Sequence, residues 1–242
     1  MLSYKLSLAS NKYLTTIVSM IIFISFTANC AVNVDKSRVV FNSGALTASL
    51  SLHNSEKEPA LVQLWTDAGD PLATPNSVKT PIIINPPVFK MQPSEVRNIK
   101  LLLVSSEELP KDRESLFWLN VYQIPPNTGL ISKSYRKIVL PLKLRLKVYV
   151  RPETVGDIST SDYAALIITR SGEKIVKVSN PTKWHITIPI MMIGDERIKS
   201  FMLSPYSDES FKLSKEIKKN TRVKFYVIDD QGVMISYEHL LN

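Results

Sequence analysis

The chain has 242 residues, 44% hydrophobic and 21% charged, an ordinary globular composition with length enough for one large or two ordinary domains. Seven glycines against 15 prolines argue against flexible linkers and against an α-rich fold, since proline sits without damage at β-edges, bulges and turns. The formal charge of +8 comes from lysines spread along the chain and not clustered with aromatics, which makes nucleic acid a poor partner and leaves an acidic partner or plain solubility.

Residues 1–30 stand apart. Lys5 and Lys12 precede an apolar run over 14–26, followed by the small and polar residues Thr27, Ala28, Asn29, Cys30 and Ala31. This is the layout of a secretory signal peptide. Cleavage after Cys30 puts Ala28 and Cys30 at the two positions that need small side chains and makes Ala31 the new amino terminus. A retained membrane anchor is the weaker alternative, because the run contains Thr15, Thr16, Ser19 and Ser25 and is barely long enough to span a bilayer. A lipoprotein site at Cys30 normally has Leu where Thr27 stands. The expected exported chain loses Lys5 and Lys12, which lowers the formal charge from +8 to +6. It also loses the one cysteine in the sequence, so its folding cannot depend on a disulfide.

From Ala31 onward the sequence reads as short strands separated by turn signals, with predicted strands at 32–41, 46–54, 60–67, 82–84, 96–104, 116–124 and 138–151. Seven strands at this spacing indicate an immunoglobulin-like sandwich. The last is unusual in length. Ile138, Leu140, Leu142, Leu144, Leu146, Val148 and Val150 keep strict two-residue spacing, while Lys137, Val139, Pro141, Lys143, Arg145, Lys147 and Tyr149 make the other face mostly basic. A strand this long can serve its own sheet at one end and offer the other to a partner by strand addition. An ordinary core-facing strand is the plain alternative. The alternation stops near 152–159, and the pattern restarts with predicted strands at 164–170, 174–179, 185–193, 222–229 and 232–240. The expected fold is therefore all-β, with a signal peptide over 1–30, one sandwich over 31–153 and a second, smaller one over 154–242.

Little in the chain speaks for catalysis. His53, His185 and His239 lack metal-ligand spacing and lie in or beside predicted strands. No nucleophile elbow, metalloprotease helix, phosphate loop or dinucleotide fingerprint occurs, so no catalytic residue, metal or cofactor is expected. A triad assembled from distant strands has no positive evidence. Trp65, Trp118 and Trp184 sit in strand patterns, where a core role is the default.

Several strings resemble, in order across nearly all of 31–242, the periplasmic pilus assembly chaperones of the chaperone–usher family. They are Ser37-Arg38-Val39-Val40-Phe41, Leu61-Val62-Gln63-Leu64-Trp65 and Pro86-Pro87-Val88-Phe89-Lys90-Met91-Gln92-Pro93. They continue with Asp112-Arg113-Glu114-Ser115-Leu116-Phe117-Trp118-Leu119-Asn120-Val121, Ile124-Pro125-Pro126, Lys147-Val148-Tyr149-Val150-Arg151-Pro152, Asn180-Pro181-Thr182 and Asp229-Asp230-Gln231-Gly232. The short connection from Pro125 to Lys137 resembles the short-loop branch of that family.

The resemblance implies two immunoglobulin-like domains in an L-shape, a periplasmic location, pilus subunits and an outer-membrane usher as partners, and no enzymatic activity. It assigns Arg38 and Lys147 to the anchoring of a subunit's terminal carboxylate, as charges at the surface of the free protein. It assigns Ile138, Leu140, Leu142 and Leu144 to a donor strand that completes the subunit's unfinished sandwich, and it leaves self-association through that strand open to the free protein. Pro141 would remove one backbone donor within that strand. Glu114, Arg151 and Asp230 match a charge cluster between the domains, although Asp229 stands where the family usually has Asn, and Val150 where an aromatic residue is common. The competing expectation is an extracellular adhesive or structural immunoglobulin-like protein. It is disfavoured because residues 31–35 run straight into the first strand and leave no donor arm.

Overall fold

The computed structural model describes residues 32–77, 79–124 and 141–241, so the segment 1–30, the connection over 125–137, and Ile138 and Leu140 lie outside the described residues. The described residues are almost entirely β. Their elements in order are β1 (Val32–Val34), β2 (Arg38–Phe41), β3 (Thr47–Asn54), β4 (Ala60–Asp67), β5 (Ile82–Asn85), β6 (Val88–Met91), β7 (Val96–Leu103), β8 (Ser115–Ile124) and β9 (Leu142–Val150). A short helix, α1 (Thr160–Ala164), precedes β10 (Ile167–Arg170), β11 (Ile175–Ser179), β12 (Ile186–Ile188), β13 (Ile190–Ile193), β14 (Glu196–Ile198), β15 (Phe201–Leu203), β16 (Asp208–Lys212), β17 (Thr221–Ile228) and β18 (Met234–Leu241).

The first sandwich packs the sheet β1-β3-β7-β5 against the sheet β2-β9-β8-β4-β6. Alternate residues of both sheets enter one core, with Phe41, Leu50, Leu52, Met91, Ile99, Leu101 and Leu119 fully buried. A buried side chain of this size contributes about 1.5 to 3 kcal/mol before ordering costs. The second core gathers Val176, Ile186, Ile188, Met191, Leu203, Val223, Phe225 and Val227 from the sheets β10-β11-β16, β12-β15 and β14-β13-β17-β18.

Four expected strands are redrawn. The predicted strand over 32–41 is two: β1 pairs with β3, and β2 pairs in parallel with β9 in the opposite sheet, the chain crossing over at exposed Asp35, Lys36 and Ser37. The stretch over 185–193 divides at Pro189, which has no N–H to give to a ladder, so that β12 and β13 serve different sheets. The start of 164–170 is the end of α1, whose Ser159 and Asp162 form a capping box. Within 232–240, Gly232 belongs to a turn and β18 begins at Met234. Strands β6, β14, β15 and β16 lie outside the expected set.

β9 dictates the architecture around the candidate site. Along one side it pairs with β8 over its whole length, from Leu142 opposite Gln123 to Val150 opposite Ser115. Along its other side β2 pairs only with Lys147 to Val150. From Leu142 to Leu146 that second edge has no partner strand among the described residues. The side chains grade accordingly: Leu146, Val148 and Val150 are in the core, Leu144 is half-buried against it, and Leu142 is 40% exposed. Pro141 precedes the strand and removes no donor from its described part.

Candidate functional site

The opposite face of the β9 sheet carries a row of chemistry that the registers impose. Asp67 of β4 stands opposite Trp118 of β8, Trp118 opposite Lys147 of β9, and Lys147 opposite Arg38 of β2. Arg38 is not the surface charge expected of it: it is 6% exposed, and its Nη1 donates to the Ile228 carbonyl at 3.0 Å. That carbonyl lies at the end of β17, in the other sandwich. The arginine tolerates this setting because guanidinium stays charged and is only weakly hydrated.

Lys147 is half-buried, and its Nζ donates to Thr187 Oγ1 of β12 at 2.7 Å. Burial first, and the neighbouring Arg38 second, bring its pKa from 10.5 down to about 8. The cations Arg38 and Lys147 thus share one row at the junction of the two sandwiches, with the Thr187 hydroxyl, the Ser37 hydroxyl (from Arg38 Nε at 3.5 Å) and the Ile228 carbonyl as their hydrogen-bond partners and no carboxylate among them. Such a pair can receive an incoming carboxylate through charge-assisted hydrogen bonds, each worth about 1.5 to 3 kcal/mol.

Arg145 and Lys143 continue the basic face. Arg145 lies over the Trp118 ring at 4.6 Å and its Nη2 donates to Asp67 Oδ1 at 2.6 Å. Asp67 is fully buried and also accepts from Asn120 Nδ2 and the Gly69 amide, both at 2.7 Å. Burial alone would raise its pKa, but these donors hold the carboxyl below the usual carboxylate range. Lys143 Nζ donates to the Pro71 carbonyl at 2.6 Å, and Trp65 Nε1 to the Ala73 carbonyl at 3.1 Å, so the loop after β4 is fastened over this face. Trp65 and Trp118 are therefore half-buried partners of cations and carbonyls and not core residues, while Trp184 is buried. Tyr149, on the same side of β9, is buried against the second sandwich with its ring 5.8 Å from that of His185.

Glu114, Arg151 and Asp230 come together between the sandwiches. Arg151 is 3% exposed; its Nε donates to Glu114 Oε2 at 2.8 Å, and Nη1 and Nη2 grip the two Asp230 oxygens at 2.6 and 2.8 Å. Burial opposes its charge, yet the bonds to Asp230 and Glu114 push its pKa above the ordinary value. The other Glu114 oxygen accepts from the His185 amide and Nδ1, both at 2.9 Å. Asp229 takes no part: its Oδ1 accepts the Val233 amide at 2.7 Å and closes the turn between β17 and β18. The structure thus places Asp230, and not Asp229, in the cluster to which the resemblance assigned it. Sequence reasoning also missed Asp67, Arg145 and Thr187. For the first two, the signal available was an acidic residue ending one predicted strand and an arginine in the basic row of another. Among the described residues no group of three or more His, Cys, Asp or Glu could hold a metal ion.

The class of protein this defines is a two-sandwich β-fold with a half-paired strand, among the described residues, beside a cation pair at the junction. Residues 31–156 match the family described as "Pili and flagellar-assembly chaperone, PapD N-terminal domain", and residues 162–239 match "Pili assembly chaperone PapD, C-terminal domain". The chain belongs to this family, the pilus assembly chaperones of the chaperone–usher pathway. It is similar to the probable fimbrial chaperone YadV of Escherichia coli strain K12, with 32% identity covering 81% of this chain and 84% of that protein. The crystal structure of YadV chaperone covers 88% of this chain and all of its own at a TM-score of 0.72 and 30% identity. The fold is also that of the SafB chaperone, solved in complex with the Salmonella enterica SafA pilin, at a TM-score of 0.75 and 22% identity over 89% of this chain and 99% of that one.

Proposed function

We propose that this chaperone holds a pilus subunit along the open edge of β9, with Arg38 and Lys147 receiving the subunit's terminal carboxylate and Leu142 and Leu144 entering the groove where the subunit lacks a strand. Ile138 and Leu140 would continue that row of side chains; they lie outside the described residues. The observation that carries this reading is the partition of β9, whose main chain is paired on both sides from Lys147 onward and, among the described residues, on one side from Leu142 to Leu146, with the cation pair at the point of change. The SafB structure, in which a chaperone of this fold is in complex with a pilin, supports the choice of partner. Loaded subunits would pass to an outer-membrane usher, in the periplasm, after removal of residues 1–30. The working division is then a chaperone domain over 31–153 and a second domain over 154–242. The role needs no catalysis, metal or cofactor.

The test is to express the tagged full-length chain in its own host, recover it from the periplasm, and identify by mass the proteins that stay bound. The expected outcome is a pilin subunit retained by the wild-type chain and lost from Leu142→Asp. Retention of no subunit, or undiminished retention by Leu142→Asp, would refute it.

A further inference from the structure

The turn joining β17 to β18 meets the first sandwich at three successive points. The Ile228 carbonyl accepts from Arg38 Nη1, and Asp230 grips Arg151 with both oxygens. At the third point a side chain added to Gly232 would put its Cβ 2.6 Å from Ser37 Oγ, at a backbone φ of +85°. The turn is stiff in itself: the Asp229 amide donates to the Val233 carbonyl at 2.9 Å, the Gly232 amide to the Asp229 carbonyl at 3.0 Å, and the Val233 amide to Asp229 Oδ1 at 2.7 Å. Ser37 immediately precedes Arg38 in the chain. A side chain at Gly232 would thus have to displace the Ser37 hydroxyl, which accepts from Arg38 Nε at 3.5 Å, or lift the turn off the residue next to the anchor arginine.

We propose that Gly232 is a positioning residue for the carboxylate anchor: its lack of a side chain lets the turn seat on Ser37, and the seated turn presents the Ile228 carbonyl that aims the Arg38 guanidinium. The inference rests on the anchor role of Arg38 proposed above. A guanidinium carries its donors in a rigid planar fork, so committing Nη1 to Ile228 fixes where the remaining donors point. An arriving carboxylate then meets donors already ordered, and their ordering is not charged against its binding. Lifting the turn off Ser37 leaves Arg38 charged, buried and badly aimed.

A double-mutant cycle tests this. Asn is the side chain that best tolerates a left-handed backbone, so Gly232→Asn keeps the turn conformation and adds the colliding atom. Ser37→Ala removes the atom it collides with, leaving the Ser37 Cβ at an ordinary 3.6 Å. The readouts are the thermal midpoint and the amount of subunit retained, using the subunit that co-purifies with the wild-type chain. Gly232→Asn should lower retention by at least about tenfold, and adding Ser37→Ala should restore it to within about twofold of Ser37→Ala alone. Equal retention by Gly232→Asn and wild type overturns the proposal, as does failure of Ser37→Ala to rescue, which would place the defect in the turn's own conformation. Should Gly232→Asn not fold, Ser37→Val brings bulk to the same contact from the exposed side; it must show the same loss of retention, and wild-type retention by it refutes the contact. A wild-type chain that retains no subunit removes the anchor reading itself, an outcome distinct from all of these.

Discussion

Arg38 and Lys147 face each other across the parallel pairing of β2 and β9, and it is the lysine whose charge is marginal. Its pKa of about 8, against an ordinary 10.5, means that from pH 8 to 10.5 the unfolded chain binds more protons at this position than the folded one. The isolated protein should therefore gain stability from Lys147 as pH rises through that window, while subunit retention falls, because a neutral amine cannot pair with a carboxylate. Thermal midpoints and retention measured on either side of pH 8 should move in opposite directions. Lys147→Met should abolish the Lys147 contribution to the stability trend.

The two anchor positions should also differ in what their loss does to the free protein. Arg38→Ala strands the Ile228 carbonyl at a partly buried junction and should cost about 1 kcal/mol or more in addition to losing capture. Lys147→Met keeps the aliphatic stem, releases a half-buried charge, and should lose capture with little change in stability. Urea unfolding of both variants beside the retention assay checks the contrast; equal stability losses would contradict the burial difference.

Along β9 the response to a carboxylate should change over three alternate residues. Leu142→Asp replaces a side chain that is 40% exposed and should leave the melting midpoint nearly intact while abolishing capture. Leu146→Asp buries an unpaired charge at a site 8% exposed and should unfold the first sandwich, a cost of several kcal/mol. Leu144→Asp should fall between. Circular dichroism melts rank the three.

Asp67→Ala should be among the most destabilising changes on the basic face, since it leaves Arg145 without its carboxylate under the loop after β4. Breaking such a buried pair costs about 3 to 5 kcal/mol. Removing both charges, as in Asp67→Asn with Arg145→Met, should recover much of that loss. The pair's contribution is present above the usual carboxylate pKa and fades as pH falls through the lowered value in the folded state. Denaturant midpoints of the single and double variants, measured at neutral and acidic pH, decide it.

The alternation that marks β9 was plain in the sequence because period two is the direct imprint of a pleated strand with one buried face. The redrawn strands left a fainter trace of the same kind. Val32 and Val34 hold even positions while Val39 and Phe41 hold odd ones, and Ile186 and Ile188 are followed by Met191 and Ile193. A strand that keeps one face inward cannot change parity, so each change marks the bend where the chain passes from one sheet to the other. β16 carries no such trace, since Asp208, Glu209 and Ser210 are exposed and the strand exists by pairing with β11. The burial of Arg38 was illegible for a different reason: its partner carbonyl is 190 positions away, in another sandwich.

The point where β2 begins to pair has a consequence for which chains the open edge admits. Any extended segment with apolar side chains at alternate residues would satisfy the exposed main chain of β9, which makes that margin indiscriminate by composition. A guest strand running parallel to β9 lies in line with β2, and at Arg38 it meets occupied sheet. Under the proposed function, a polypeptide that continues past this point must buckle out of the cleft, whereas one that stops there pairs along the whole open stretch. The fold then acts as a ruler with a stop at one end, and reports where a client's chain finishes as well as what it is made of.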